Sequence, residues 1–219
     1  MAGDRPKTTT NVTPDETRGG HAGVTKDCGD QAVIQTILAG AGAGTRSSMG
    51  SASAPNARRM LMPEMIRALT IWQPWASLIA AGAKPYEWRG WEAPRRLVGQ
   101  RIAIHAGARK AQRHEIASLM LDIERTGAAG TSLVISVARP LLERWHSSPG
   151  LLPLSSVVCT AVLGTPITAR AYAEQRGQAA LDSDRIDHTK WGWPLSGVEV
   201  LEPFVPAKGA QGFWLWQPA

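Results

Sequence analysis

The sequence predicts an α+β domain over residues 65–219, a small mixed β-barrel with helices packed around it, preceded by a disordered extension over residues 1–64. Three observations predict it. All nine tryptophans lie beyond residue 70, while residues 1–62 hold no Trp, Tyr or Phe. Short apolar, β-branched runs recur at irregular spacing between Gly- and Pro-rich turns. Two or three stretches of helical periodicity lie among them, as expected of helices that share a core with a sheet.

The extension is read from composition. Runs such as Ala39-Gly40-Ala41-Gly42-Ala43-Gly44 and Ser51-Ala52-Ser53-Ala54 bury too little apolar surface to offset chain entropy. It has no continuous apolar core of a signal peptide, and Asp4, Asp15, Glu16, Asp27 and Asp30 argue against a transit peptide. Met60, Met62 and Met65 precede the domain and offer internal start positions.

Within the domain, residues 67–71 read as a strand. Gln73-Pro74 opens a helix, because proline suits a first helical turn. Trp75, Leu78 and Ile79 give that helix a buried face, and Gly82 ends it. Tyr86 to Trp88 reads as a short strand and residues 101–106 as a longer one. Residues 110–126 form a helix with Ile116, Leu119, Met120 and Ile123 on its core face, closed by Gly127. Residues 128–152, with a helical Pro140 to Trp145, read as an insertion on the barrel. Ser156 to Leu163, dense in valine, is the strongest strand. Residues 168–181 read as helical, Trp191 to Leu201 as extended, and Phe213 to Trp216 as the last strand. Gly209-Ala210-Gln211-Gly212 is a tight turn into it, too short for a phosphate loop.

Charge and cysteines bound the function. Residues 1–65 carry seven basic and six acidic side chains, the remainder seventeen and twelve, so the net +6 belongs mainly to the folded part. A basic domain favours an anionic partner such as RNA. Cys28 and Cys159 cannot build a disulfide framework and read as free thiols of a reducing compartment, which places the protein in the cytoplasm. No apolar run reaches the roughly 20 residues needed to span a bilayer. His114, His146 and His188 lack ligand spacing with one another or with cysteines, so no metal and no cofactor is expected.

The window from Leu69 to Trp91 concentrates chemistry. Lys84, Glu87 and Arg89 stand among Trp72, Trp75, Trp88 and Trp91. Charged groups framed by indole rings suit a flat, hydrogen-bonding ligand such as a nucleobase. The same three charges also fit an ordinary surface ion-pair cluster. His105 fits either a satisfied core histidine or the rim of a cleft. The tryptophans fit either core or stacking platforms, Trp193 included, since Trp191 and Trp193 straddle Gly192 and can point the same way.

Leu69-Thr70-Ile71-Trp72-Gln73-Pro74-Trp75-Ala76, Gly82-Ala83-Lys84-Pro85-Tyr86-Glu87-Trp88-Arg89-Gly90-Trp91, residues 102–106, the valine-rich strand through Gly164, residues 191–196 and residues 208–214 follow one another in the order of the ASCH domain family, of the PUA-like superfamily. The chain resembles that family over about residues 67–216. The resemblance implies a PUA-like barrel with a cleft between barrel and helices, and an RNA or modified nucleoside or nucleotide as partner. One branch hydrolyses the amide of acylated cytidine through K-x-x-T-x-R, with threonine as nucleophile. Here Glu87 holds the threonine position, so the covalent step does not carry over, although a glutamate can serve as general base.

The leading expectation is an RNA- or nucleotide-binding module whose ligand meets Trp72, Gln73, Trp75, Lys84, Glu87, Arg89, His105 and Trp193. The first alternative is a hydrolase acting on a modified nucleoside or on RNA in the same cleft, with Lys84 and Glu87 as the proton-transfer pair. The second is a protein-interaction module using the barrel surface.

Overall fold

The computed structural model describes residues 65–180 and 189–218, so the expectation for residues 1–64 lies outside the described residues, as do Cys28 and His188. The chain runs β1 (Ile66–Ile71), α1 (Trp75–Ala80), β2 (Tyr86–Arg89), β3 (Arg101–Ala106), α2 (Arg113–Thr131), α3 (Ile135–Ser147), β4 (Ser156–Leu163), β5 (Ile167–Thr168), α4 (Ala169–Arg176), β6 (Trp191–Pro206) and β7 (Phe213–Trp216). The seven strands form one mixed sheet in the order β2-β6-β4-β3-β1-β7, with β5 paired to β6. Among the described residues only β1 and β3 run parallel; the other pairs are antiparallel.

The fold class is the predicted α+β one, but the barrel is not closed. The sheet ends at β2 and β7, which do not pair. These are strands of four residues each, too short to supply a continuous closing ladder. Side chains bridge the opening instead. Trp193 of β6 stacks nearly parallel on Phe213 of β7, with centroids 5.7 Å apart. Trp91 sets its edge against Trp193 at 4.6 Å and against Phe213 at 6.1 Å. Arg89 at the end of β2 donates to the Thr70 carbonyl of β1 at 3.2 Å.

The period-2 alternation of the strands divides the apolar residues between two faces. Leu69 and Ile71 of β1 and Ile102, Ile104 and Ala106 of β3 face the main core, which α1, α2 and α3 cover. Ala68 and Ala103 face a smaller cluster with Val157 and Trp216. Residues 128–152 are not an insertion. Ala138, Leu141, Leu142 and Trp145 recur at helical spacing in α3 and are fully buried in the main core. Gly127 has φ +62° and breaks α2 as expected, but the chain resumes helical conformation as far as Thr131.

The end of α1 is set by backbone chemistry. Gly82 adopts φ +70°, its amide donates to the Ile79 carbonyl at 2.9 Å and the Ala83 amide to that of Leu78 at 2.8 Å. This is the paired Schellman arrangement, which a glycine one residue beyond the cap allows without strain. It delivers Lys84 directly under the helix, with the Lys84 amide also on the Leu78 carbonyl at 3.1 Å.

Candidate functional site

Lys84, Glu87 and Arg89 meet as the window predicts, but inside the protein. The side chains of Lys84 and Glu87 are 0% and 5% exposed. Glu87 and Arg89 are two apart on β2 and so share a face of the strand. Arg89 Nη2 lies 2.9 Å from Glu87 Oε1, and Lys84 Nζ lies 3.9 Å from Glu87 Oε2. Lys84 Nζ also sits 4.8 Å from the centre of the Trp75 ring, a cation–π contact. Arg89 is the partly exposed member. Its Nη2 holds both Glu87 and the Thr70 carbonyl, while its Nε is buried with no hydrogen-bond partner among the described residues.

Thr70 connects this cluster to a hollow of about 720 Å3 on the other face of the sheet, lined by Thr70, His105, Gly107, Ala108, Ser155 and the connection 206–211. His105 pairs in register with Thr70 on β1, and the β3–β4 register shifts between Ile104 and His105. Such an irregularity re-aims a side chain relative to its strand. The His105 ring meets Trp214 edge-on at 5.5 Å. Its Nε2 is 3.0 Å from the Ala207 carbonyl; a carbonyl only accepts, so Nε2 carries the proton. Nδ1 is then an unprotonated acceptor, and it is buried with no partner among the described residues. Burial holds the His105 pKa below its ordinary value, outweighing the opposing effect of the Ala207 hydrogen bond. The ring is therefore neutral near pH 7.

Gly209 closes over this atom. A Cβ there would lie 2.5 Å from His105 Cε1 and 2.7 Å from both His105 Nδ1 and Thr70 Oγ1, so only glycine allows the backbone so close. The turn expected at 209–212 is thus also a wall of the hollow.

The remaining predicted residues divide. Trp72 is 52% exposed, with the Arg109 guanidinium 4.8 Å from its ring centre. Gln73 is buried and its amide is engaged by the protein. Its Nε2 donates to Ser77 Oγ and to the Pro153 carbonyl, both at 2.8 Å, and its Oε1 accepts from the Ser77 amide at 3.1 Å. Trp75 lies partly buried under Lys84. Trp193 is fully buried between Phe213 and Trp91, and its Nε1 donates to the Trp91 carbonyl at 3.2 Å. Those contacts are packing contacts. Sequence reasoning missed Thr70, Gly107 and residues 206–211 as a wall. Glycine at 209 was the available signal, but nothing local ties it to His105, about a hundred residues earlier.

Among the described residues no group of three His, Cys, Asp or Glu is placed to hold a metal ion, and no helix is long and apolar enough to cross a membrane. Cys159 is a free thiol, fully buried, and burial pushes its pKa up.

Residues 69–176 match the model of the ASCH domain. Solved structures similar to the chain include two of mutant forms of ZmASCH from Zymomonas mobilis. Each is 15% identical over 64% of this chain, and the matches cover 74% and 72% of those chains with a TM-score of 0.35. No curated protein matches the chain.

Proposed function

Because this chain carries an ASCH domain, a PUA-like fold of RNA-binding type, we propose that it binds RNA or a nucleotide, with one nucleotide unit seated in the hollow beside His105. The observation that supports this best is the make-up of that hollow. At about 720 Å3 it is of ligand-pocket size. Among the described residues no acid lines it, a neutral histidine forms part of its wall, and Lys208 stands on its rim. A neutral imidazole leaves this wall uncharged, as the face of a base requires, and Lys208 suits a phosphate. Trp72 offers a half-exposed ring beside Gly107 for stacking. Lys84 and Glu87 act one layer back. Lys84 faces Glu87, Glu87 holds Arg89, and Arg89 in turn donates to the Thr70 carbonyl of the wall.

The test is calorimetric titration of the full chain with cytidine and adenosine monophosphates and with a single-stranded RNA hexamer. Binding of at least one with Kd below about 1 mM, the weak end of specific affinity, and a tenfold or greater loss in His105→Gln are expected. Absence of binding, or binding indifferent to His105→Gln, overturns the reading.

The contact of Lys84 with Glu87 at 3.9 Å favours one second reading, a hydrolase of a modified nucleoside or of RNA with this pair moving the proton. Incubation with an N4-acylated cytidine, read by release of cytidine, tests it. Turnover that survives Glu87→Gln excludes the pair as its proton-transfer groups.

A further inference from the structure

A second hollow, of about 740 Å3, shares no lining residue with the one beside His105. It lies where α2 begins and where the connection from α3 to β4 passes. Residues 110–114 line it from the first segment, and Pro149, Gly150, Leu152 and Leu154 from the second. Hydrogen bonds fix both segments. Arg113 Nη2 donates to the Ser147 carbonyl, at the end of α3, at 3.0 Å and so ties one segment to the other. The Leu151 amide donates to the Ser148 carbonyl at 3.1 Å and the Leu152 amide to that of Pro149 at 3.2 Å, which makes a tight turn of the connection. Gln73 Nε2, from the segment leading into α1, donates to the Pro153 carbonyl at 2.8 Å.

The lining has two kinds of chemistry. Lys110, Arg113 and His114 are basic and exposed. Ala111, Pro149, Leu152 and Leu154 are apolar, and Ala111 and Leu152 are buried. Among the described residues no acidic side chain lines the hollow. Glu115, which follows directly in the chain, is already engaged. It pairs with Arg109 and accepts from the Gln112 amide at 2.8 Å. With the Gln112 side chain it forms the capping box that closes the start of α2. An anion here would therefore be held by the basic side chains, not by free helix amides.

Nothing in this lining suits a base. Among the described residues no Trp, Tyr or Phe borders the hollow, so a nucleobase would find no ring to stack on. The apolar part is aliphatic throughout.

We propose that this second hollow binds a small aliphatic carboxylic acid in its ionised form, with the carboxylate at Lys110 and Arg113 and the chain against Ala111, Leu152 and Leu154. The volume is that of a small-molecule site. A guanidinium carries five N–H donors, and Arg113 spends one nitrogen on Ser147, so the same group has donors left for a carboxylate. Cations beside a buried aliphatic wall match a molecule with one charged end and one apolar end. Inorganic phosphate would meet the charges and leave the wall unused. A neutral alcohol would cover the wall and leave the cations unanswered. Because the two hollows share no residue, such a site is independent of nucleotide binding at His105.

The experiment is calorimetric titration of the full chain with butyrate, hexanoate and octanoate, and with 1-octanol and inorganic phosphate, which carry only the chain or only the charge. Octanoate should bind with Kd below about 1 mM. A fully buried methylene is worth about fourfold in affinity, so for a chain about half-buried the affinity should rise at least about threefold for each two methylenes added. 1-Octanol and phosphate should each bind at least about tenfold more weakly than octanoate. Lys110→Ala/Arg113→Ala should weaken octanoate at least about tenfold while 1-octanol stays within about twofold, and Lys110→Arg/Arg113→Lys, which keeps both charges, should stay within about threefold of wild type. Leu154→Asn, at a half-buried position, should flatten the rise with chain length. Each variant is compared at an unchanged melting temperature. Absence of octanoate binding, affinity indifferent to chain length, or octanoate binding untouched by Lys110→Ala/Arg113→Ala overturns the proposal. Phosphate bound as tightly as octanoate overturns it in favour of a plain anion site. Retention on phosphatidylglycerol vesicles without affinity for dissolved octanoate overturns it in favour of a membrane surface.

Discussion

Glu87→Gln is the change that probes the buried ion-pair cluster most directly. The substitution keeps the shape of the side chain and removes its charge. In the native protein that charge is 2.9 Å from Arg89 Nη2 and 3.9 Å from Lys84 Nζ. Lys84 is wholly buried and Glu87 nearly so, while Arg89 retains 24% exposure. Removing one partner of a buried pair takes from the cations the carboxylate that faces them in a low-dielectric region and costs about 3–5 kcal/mol. The glutamine oxygen can still accept from Arg89, which places the expected loss near the lower end of that range, about 3 kcal/mol. For a domain of this size each kcal/mol moves the melting point by about 2–4 °C, so a drop of roughly 6–12 °C is expected. Urea unfolding should show a lower midpoint with an unchanged m-value. Lys84→Met should cost less than Glu87→Gln, because the closer Arg89 contact survives. The double variant should lose less than the sum of the two, since the two side chains face each other and their effects couple. A loss below about 1 kcal/mol for Glu87→Gln, the range of solvent-exposed pairs, refutes the reasoning and returns the cluster to a surface feature.

The hollow carries two further predictions. His105 has its folded pKa below 6.5 while the unfolded chain titrates near that value, so below about pH 6.5 the unfolded state binds more protons. Stability should therefore be level well above pH 6.5 and fall as the pH drops through and below that value. Thermal melts across that range should show the fall in wild type and a flatter profile in His105→Gln; identical profiles would remove the histidine from the account. Gly209→Ala forces a Cβ to within 2.7 Å of His105 Nδ1 and Thr70 Oγ1, so a destabilisation of about 1–3 kcal/mol is expected, with at least tenfold weaker nucleotide binding. A stable variant with native affinity would show that the connection 206–211 yields freely and does not shape the hollow.

Much of the fold is legible in the sequence because its signals are local. The valine run marks β4 to the residue, and the aromatic run Phe213–Trp216 matches β7 at both ends. Gly82 and Gly127 mark helix breaks because their positive φ is a property of a single residue. The basic excess and the meeting of Lys84, Glu87 and Arg89 are likewise readable, the latter from spacing in one short window. Burial is not. Whether an indole or an ion pair faces solvent depends on what packs over it. Trp72 stays open and Trp193 is enclosed, although both arise in motifs of similar composition. Residues 128–152 read as an insertion because α3 completes its buried face only against strands distant in sequence. The open barrel, bridged by Trp91, Trp193 and Phe213, depends on segments about a hundred residues apart. So does the contact of Gly209 with His105, which makes a turn into a wall. The sequence by itself determined most of the elements, the family and the kind of charge that the domain carries. Only the tertiary structure decided which of those groups lie together around a hollow. Propensity and capping act within a few residues, whereas a cavity is made by the long-range packing of segments that carry no local record of one another.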